Sequence, residues 1–141
     1  MKLNVSKTDV WATTIEDQPG GLAGKLATLA AAGANLEFII ARRAAERPGS
    51  GVVFVTPIKG AKQVKAAQAA GFQTTESLHS IRVEGADKPG MGAKITKALA
   101  EAGVNLRGLS AAAIGKKFVT HLALDTAEQA AKAAALLKKL S

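Results

Sequence analysis

Asp17-Gln18-Pro19-Gly20-Gly21 and Asp87-Lys88-Pro89-Gly90-Met91 are one signature written twice at an offset of 70, and the rest of the chain arranges itself around them. Each closes a strand-like run and opens a helix-like one. Asp accepts local backbone N–H groups, Pro fixes φ, and Gly permits a tight approach to the helix. The turn leaves the unpaired N–H groups of a helix start facing solvent, with the positive end of the dipole behind them. Such a surface attracts a carboxylate or a phosphate.

The likeness extends beyond the turn. Residues 17–36 align without gaps on residues 87–106 and share Asp, Pro, Gly, three alanines, Leu, Gly, Asn and Leu, which is half of the positions. Turn chemistry alone accounts for one copy. Two copies with turn residues and helix caps in register indicate duplication of a supersecondary unit. The 141 residues are therefore read as two small domains, residues 1–76 and 77–141.

In the first, Val10, Trp11, Thr13, Thr14 and Ile15 form a β-branched and aromatic mix, which predicts a strand at about 9–16. Leu22, Leu26 and Leu29 then recur on one helical face, and Gly33 ends the helix. Residues 35–43 alternate as a second strand, with Leu36, Phe38 and Ile40 on one side. A turn-rich stretch, 46–51, leads to the apolar run Val52-Val53-Phe54-Val55 and predicts an antiparallel hairpin. An alanine-rich helix from Gly60 to Ala70 and a short strand at 72–75 complete the order βαββαβ.

The second copy repeats this order from Leu78 but stops with a helix at 126–140, leaving no room for a fourth strand. An uncovered sheet edge invites pairing. The missing partner must come from the N-terminal 2–5 stretch, from the other copy, or from another chain, which makes a homodimer one expectation.

Bulk properties bound the function. No cysteine is present, so thiol catalysis, disulfides and thiolate metal sites are excluded, and with only His79 and His121 a histidine cage has too few ligands. No cofactor is expected. The apolar runs fall short of a membrane span and the start lacks a secretory apolar core, so the expectation is a cytoplasmic protein without membrane association. The net charge of +8 divides evenly, with nine basic and five acidic residues in 1–75 and ten and six in 76–141. That distribution reads as a solvated face rather than a nucleic-acid footprint.

The succession Asp-x-Pro-Gly, helix, Gly-x-Asn-Leu, strand resembles the ACT domain, the small ligand-sensing module appended to many amino-acid biosynthetic enzymes. The resemblance covers nearly the whole chain as a tandem pair. It implies an α+β fold of two ferredoxin-like (βαββαβ) domains side by side, their antiparallel sheets covered by helices on one face. It also implies a regulatory, allosteric role, with a small amino acid bound at the seam between domains or subunits and a metabolic enzyme as the regulated partner. Carried over by position, the ligand-binding residues are Asp17, Gly20, Gly21, Leu22 and Asn35 in one site and Asp87, Gly90, Met91 and Asn105 in the other. Helix-end N–H groups would receive the ligand's carboxylate, and the Asn amide supplies an acceptor for its ammonium. Each Asn serves equally well to stiffen the bend between helix and strand. Gly92 stands where the first copy has Leu22 and deprives the second site of an apolar wall, so the first site is the expected one.

Catalysis needs a nucleophile with a base, or paired carboxylates, in one pocket. Ser110, His121 and Asp125 are the only triad to be imagined, and no strained nucleophile elbow surrounds Ser110. The chain is read as no enzyme. The rival reading is a basic ferredoxin-like module for nucleic acid or protein interaction, with Trp11 and Phe54 on neighbouring strands as stacking aromatics. No stretch resembles the aromatic run of an RNA-recognition motif, and aromatics are only 4% of the chain.

Overall fold

The computed structural model describes residues 2–74 and 78–140. The chain divides into two units, Asp9–Thr75 and a split unit that takes Met1–Thr8 together with Glu76–Ser141. Each is an α+β unit with one four-stranded antiparallel sheet and two helices.

In the inserted unit the order is β2 (Trp11–Glu16), α1 (Gly21–Ala31), β3 (Phe38–Arg43), β4 (Ser50–Thr56), α2 (Gly60–Ala69) and β5 (Gln73–Thr74), after β1 (Asn4–Thr8) of the other unit. The sheet runs β3-β4-β2-β5, the ferredoxin-like order in which the first and third strands lie at the centre. Pairing sets the faces: Trp11 stands opposite Val55, Thr13 opposite Val53 and Ile15 opposite Gly51. These alternate residues share one side of the sheet, and there Trp11, Ile15, Val53 and Val55 pack with Leu22, Leu26 and Leu29 of α1 and Ala67 of α2. Full burial of a Val, Leu or Phe contributes about 1.5–3 kcal/mol relative to exposure, so Val53, Val55, Leu29 and Phe72, each with no exposed area, dominate this core.

Two strands begin later than the alternation predicts. At 9, the Asp9 carbonyl accepts the Thr56 hydroxyl at 3.0 Å, and the ladder begins at Trp11. Before β3 the chain first closes α1, where Ala34 donates to the Leu29 carbonyl and Gly33 to Ala30, a Schellman cap with Gly33 at φ 87°, and Glu37 then makes the first bond to β4 at the Thr56 carbonyl. The same cap closes α3, where Val104 donates to Leu99 and Gly103 to Ala100.

The split unit contains β1, β6 (His79–Ala86), α3 (Met91–Glu101), β7 (Gly108–Ile114), β8 (Lys117–Leu124) and α4 (Ala127–Lys138), with Thr126 accepting the Gln129 N–H as the α4 N-cap. Its sheet runs β1-β6-β8-β7. The strand missing after α4 is therefore supplied by the N-terminus: β1 pairs antiparallel with β6, Asn4 opposite Glu84 through Thr8 opposite Ser80. Of the three sources open to it, the edge takes the nearest one in this chain. The contiguous division at 76 and 77 is accordingly modified for residues 1–8, which join the second repeat. Leu3 enters the core with Ile81, Val83, Ile95, Leu99, Phe118, Leu122 and Leu137. No helix among the described residues is long and apolar enough to cross a membrane.

Candidate functional site

Both Asp-x-Pro-Gly turns are built alike. Gly20 at φ 87° and Gly90 at φ 84° are the N-cap residues of α1 and α3, in the left-handed region where a side chain is strained. Gly21 donates to the Gln18 carbonyl at 3.1 Å and Met91 to the Lys88 carbonyl at 3.3 Å, while Asp17 and Asp87 tie their turns to the neighbouring hairpins through Gly49 and Lys116. The next N–H groups, those of Leu22 and Ala23 and of Gly92 and Ala93, lie in the first helical turn and have no intrahelical acceptor. Neither cap is a side chain, so a ligand anion would meet bare backbone donors.

The surroundings of the two turns differ. Beside the second turn lies a cleft of about 300 Å³, between the start of α3 (Met91, Gly92, Ile95), the edge strand β7 (Leu109, Ala111, Ala113) and β8 (Phe118, Thr120), with Asp87 and Lys88 at the turn. Register explains the wall: Ala111 stands opposite Thr120 and Ala113 opposite Phe118, so these residues share the helix-bearing face with Leu109 and Leu122. The expectation that Gly92 leaves this site without an apolar wall is corrected. The wall comes from the sheet and from Ile95, and the absent side chain at Gly92 supplies the room, since a Cβ there would meet nothing within 4 Å.

Around the first turn the equivalent space is divided. One cleft of about 550 Å³ lies along Thr14, Glu16, Gly20, Gly24 and Lys25, and a smaller one of about 230 Å³ along Asp17, Leu22, Ala41 and Arg43. Leu22 packs against the core, and the Arg43 Nε donates to the Asp17 carboxylate at 2.8 Å. Gly21 has a steric role, because a Cβ on it would fall 2.1 Å from the Glu16 carbonyl oxygen.

The other candidates separate. Asn35 and Asn105 are exposed, before β3 and β7, and line none of these three clefts. Ser110 does stand opposite His121 in the β7–β8 ladder, but Asp125 is engaged by Arg107 at 3.4 Å and no triad is assembled. Trp11 and Phe54 are on neighbouring strands but opposite faces, for Trp11 pairs with Val55 and Ala12 with Phe54. They form no common stacking platform. Among the described residues no group of three or more His, Asp and Glu is placed to hold a metal ion. Lys88, Ile95, Leu109, Ala113 and Phe118 were missed by motif reading. Extending the repeat alignment from the turn to residues 109–113 would have drawn β7 into the site.

With the Asp-x-Pro-Gly turn, the glycine-capped helix and the completed four-stranded sheet in place, the comparisons agree with the geometry. Residues 79–141 match the family model of the ACT domain. Those residues form an ACT domain. The inserted unit repeats its element order and strand arrangement, and a tandem ACT architecture fits the fold. Solved structures share it across the whole chain. Protein BT0572 from Bacteroides thetaiotaomicron is 18% identical, covers 96% of this chain and 99% of its own, and superposes with a TM-score of 0.75. The ligand-free regulatory subunit of aspartate kinase from Thermus thermophilus is 18% identical over 99% of this chain and 97% of its own, with a TM-score of 0.67. A structure of aspartokinase alpha and beta subunits gives 19%, 99%, 97% and 0.65. Identities this low establish a common fold. No curated protein sequence matches significantly.

Proposed function

We propose that this protein is a non-catalytic, cytoplasmic regulator that binds a small amino acid at an ACT-domain turn and transmits its occupancy to a metabolic enzyme. The observation that carries this reading is the cleft beside Asp87-Lys88-Pro89-Gly90, where backbone donors, a carboxylate and an ammonium border an apolar wall. A zwitterion needs all of these in one place. The site residues are then Asp87, Gly90 and Met91, with Asp17, Gly20, Gly21 and Leu22 as the corresponding set in the inserted unit, and Asn35 and Asn105 at the two bends. The cleft borders β7, an outer strand of its sheet, and a second subunit pairing there would close it as a seam. The fold shared with regulatory subunits of aspartate kinase supports an enzyme as the regulated partner. A ligand that binds one arrangement better shifts the population toward it, and the partner responds to that shift.

Thermal-shift screening of the full chain against the twenty amino acids tests this, followed by calorimetry on those that stabilise it. Stabilisation by a small set of chemically related amino acids is the expected result. No stabilisation by any of them, with clear salt-dependent RNA binding, would overturn the proposal in favour of a nucleic-acid module.

A further inference from the structure

The two repeats differ at positions that shape and charge the cleft beside the turn. At the offset of 70, Leu22 corresponds to Gly92, Arg43 to Ala113 and Gln18 to Lys88. In the inserted unit Leu22 packs on the core and Arg43 neutralises Asp17. In the split unit a Cβ on Gly92 would find open space, Ala113 ends at its methyl, and about 300 Å³ stands free. Among the described residues no ion pair engages Asp87 or Lys88.

From this contrast, and resting on the proposed amino-acid binding, we infer that the ligand is an amino acid with an uncharged aliphatic side chain, held only in the split unit's cleft. Asp87 and Lys88 present opposite charges at one end, the complement of an α-ammonium and an α-carboxylate. Beyond them Met91, Ile95, Leu109 and Phe118 offer hydrocarbon, and the one hydroxyl there, of Thr120, is already committed to the Ser110 carbonyl at 2.9 Å. A charged side chain would be desolvated against these walls without a partner, which is costly, whereas a branched aliphatic chain gains from burial. The volume equals that of roughly ten waters at about 30 Å³ each, which leaves room for such a chain behind the zwitterionic head. In the inserted unit Leu22 and Arg43 border the corresponding space, which is smaller at about 230 Å³, and Asp17 is already paired.

Calorimetry of the full chain with L-leucine, L-isoleucine and L-valine, against L-lysine, L-aspartate and glycine, tests the assignment. The expected result is one aliphatic amino acid per chain, bound at least tenfold tighter than the charged ones. Gly92→Leu should weaken it more than tenfold while remaining folded by circular dichroism, since residue 92 is an exposed helical position and Leu is the better helix former. Ala113→Arg, on the exposed edge of β7, should do the same by bringing a guanidinium to Asp87. Arg43→Ala, in the inserted unit, should leave that affinity unchanged. Equal or tighter binding of L-lysine or L-aspartate overturns the side-chain class. Wild-type affinity in both Gly92→Leu and Ala113→Arg, or loss in Arg43→Ala, overturns the choice of cleft. Failure of all six amino acids, with no response to the other fourteen, overturns the amino-acid reading itself.

Discussion

Arg43 Nε lies 2.8 Å from the Asp17 carboxylate across the first Pro-Gly turn, and at the equivalent place beside Asp87 the chain has Ala113. One exchange thus separates a turn whose carboxylate is held in an ion pair from a turn whose carboxylate has none among the described residues. The pair is itself a weak source of stability, because the arginine side chain is 83% exposed. Arg43→Ala should change unfolding free energy by less than about 1 kcal/mol. Urea denaturation at low and high salt checks this, and a loss well above that value would show the pair to be structurally required.

Gly21 gives a contrasting prediction within the same turn. Its added methyl would sit 2.1 Å from the Glu16 carbonyl oxygen, a backbone atom with little freedom to retreat. Gly21→Ala should therefore cost about 1–3 kcal/mol in the inserted unit through overpacking. The substitution at Gly24, where a Cβ meets nothing within 4 Å, should instead be neutral or stabilising by up to about 1 kcal/mol. Comparing the two urea midpoints separates steric crowding from helix propensity.

Much of this architecture is legible before any coordinates. The period of Leu22, Leu26 and Leu29 marks α1, Gly33 and Gly103 mark the caps, and the repeated turn marks the duplication, because these are local effects of backbone and burial. The site is less legible. Leu109, Ala113 and Phe118 reach α3 through strand register, and no local signal in β7 or β8 announces that convergence. Gly92 misleads for a related reason: read alone it is a lost wall, while in the folded unit it is the volume that the wall encloses.

The N-terminal strand is likewise a nonlocal feature, and it carries its own prediction. Leu3 is 3% exposed, and its Cδ2 would lie 2.7 Å from a Cβ on Gly85, so its methyl packs over that glycine. Leu3→Ala should cost about 2–5 kcal/mol in the split unit by removing buried methyl groups and leaving a cavity. Removing residues 1–8 should cost more, because it also bares the β6 edge, and should promote self-association through that edge. Denaturation and light scattering of the truncated chain test both, and a stable monodisperse monomer would rule out the structural role of β1.

Glu84, one strand inward from β1, makes the stability of this sheet sensitive to acid. The hydrogen bond from Arg82, at 2.8 Å, then the charge of Arg82 and the contact with Lys117 at 3.5 Å hold its carboxyl below the ordinary value of 4.5. A carboxyl whose pKa is lower folded than unfolded binds more protons in the unfolded state, so its contribution is complete above the unfolded value. It fades as pH falls through the folded value. Glu84→Gln should therefore reduce stability at neutral pH, and the difference from the unmodified protein should shrink as pH drops below about 4.5. Urea midpoints measured from neutral pH down to about pH 3 should converge. Parallel curves for the two proteins would mean that Arg82 and Lys117 do not bind this carboxylate more tightly in the folded state.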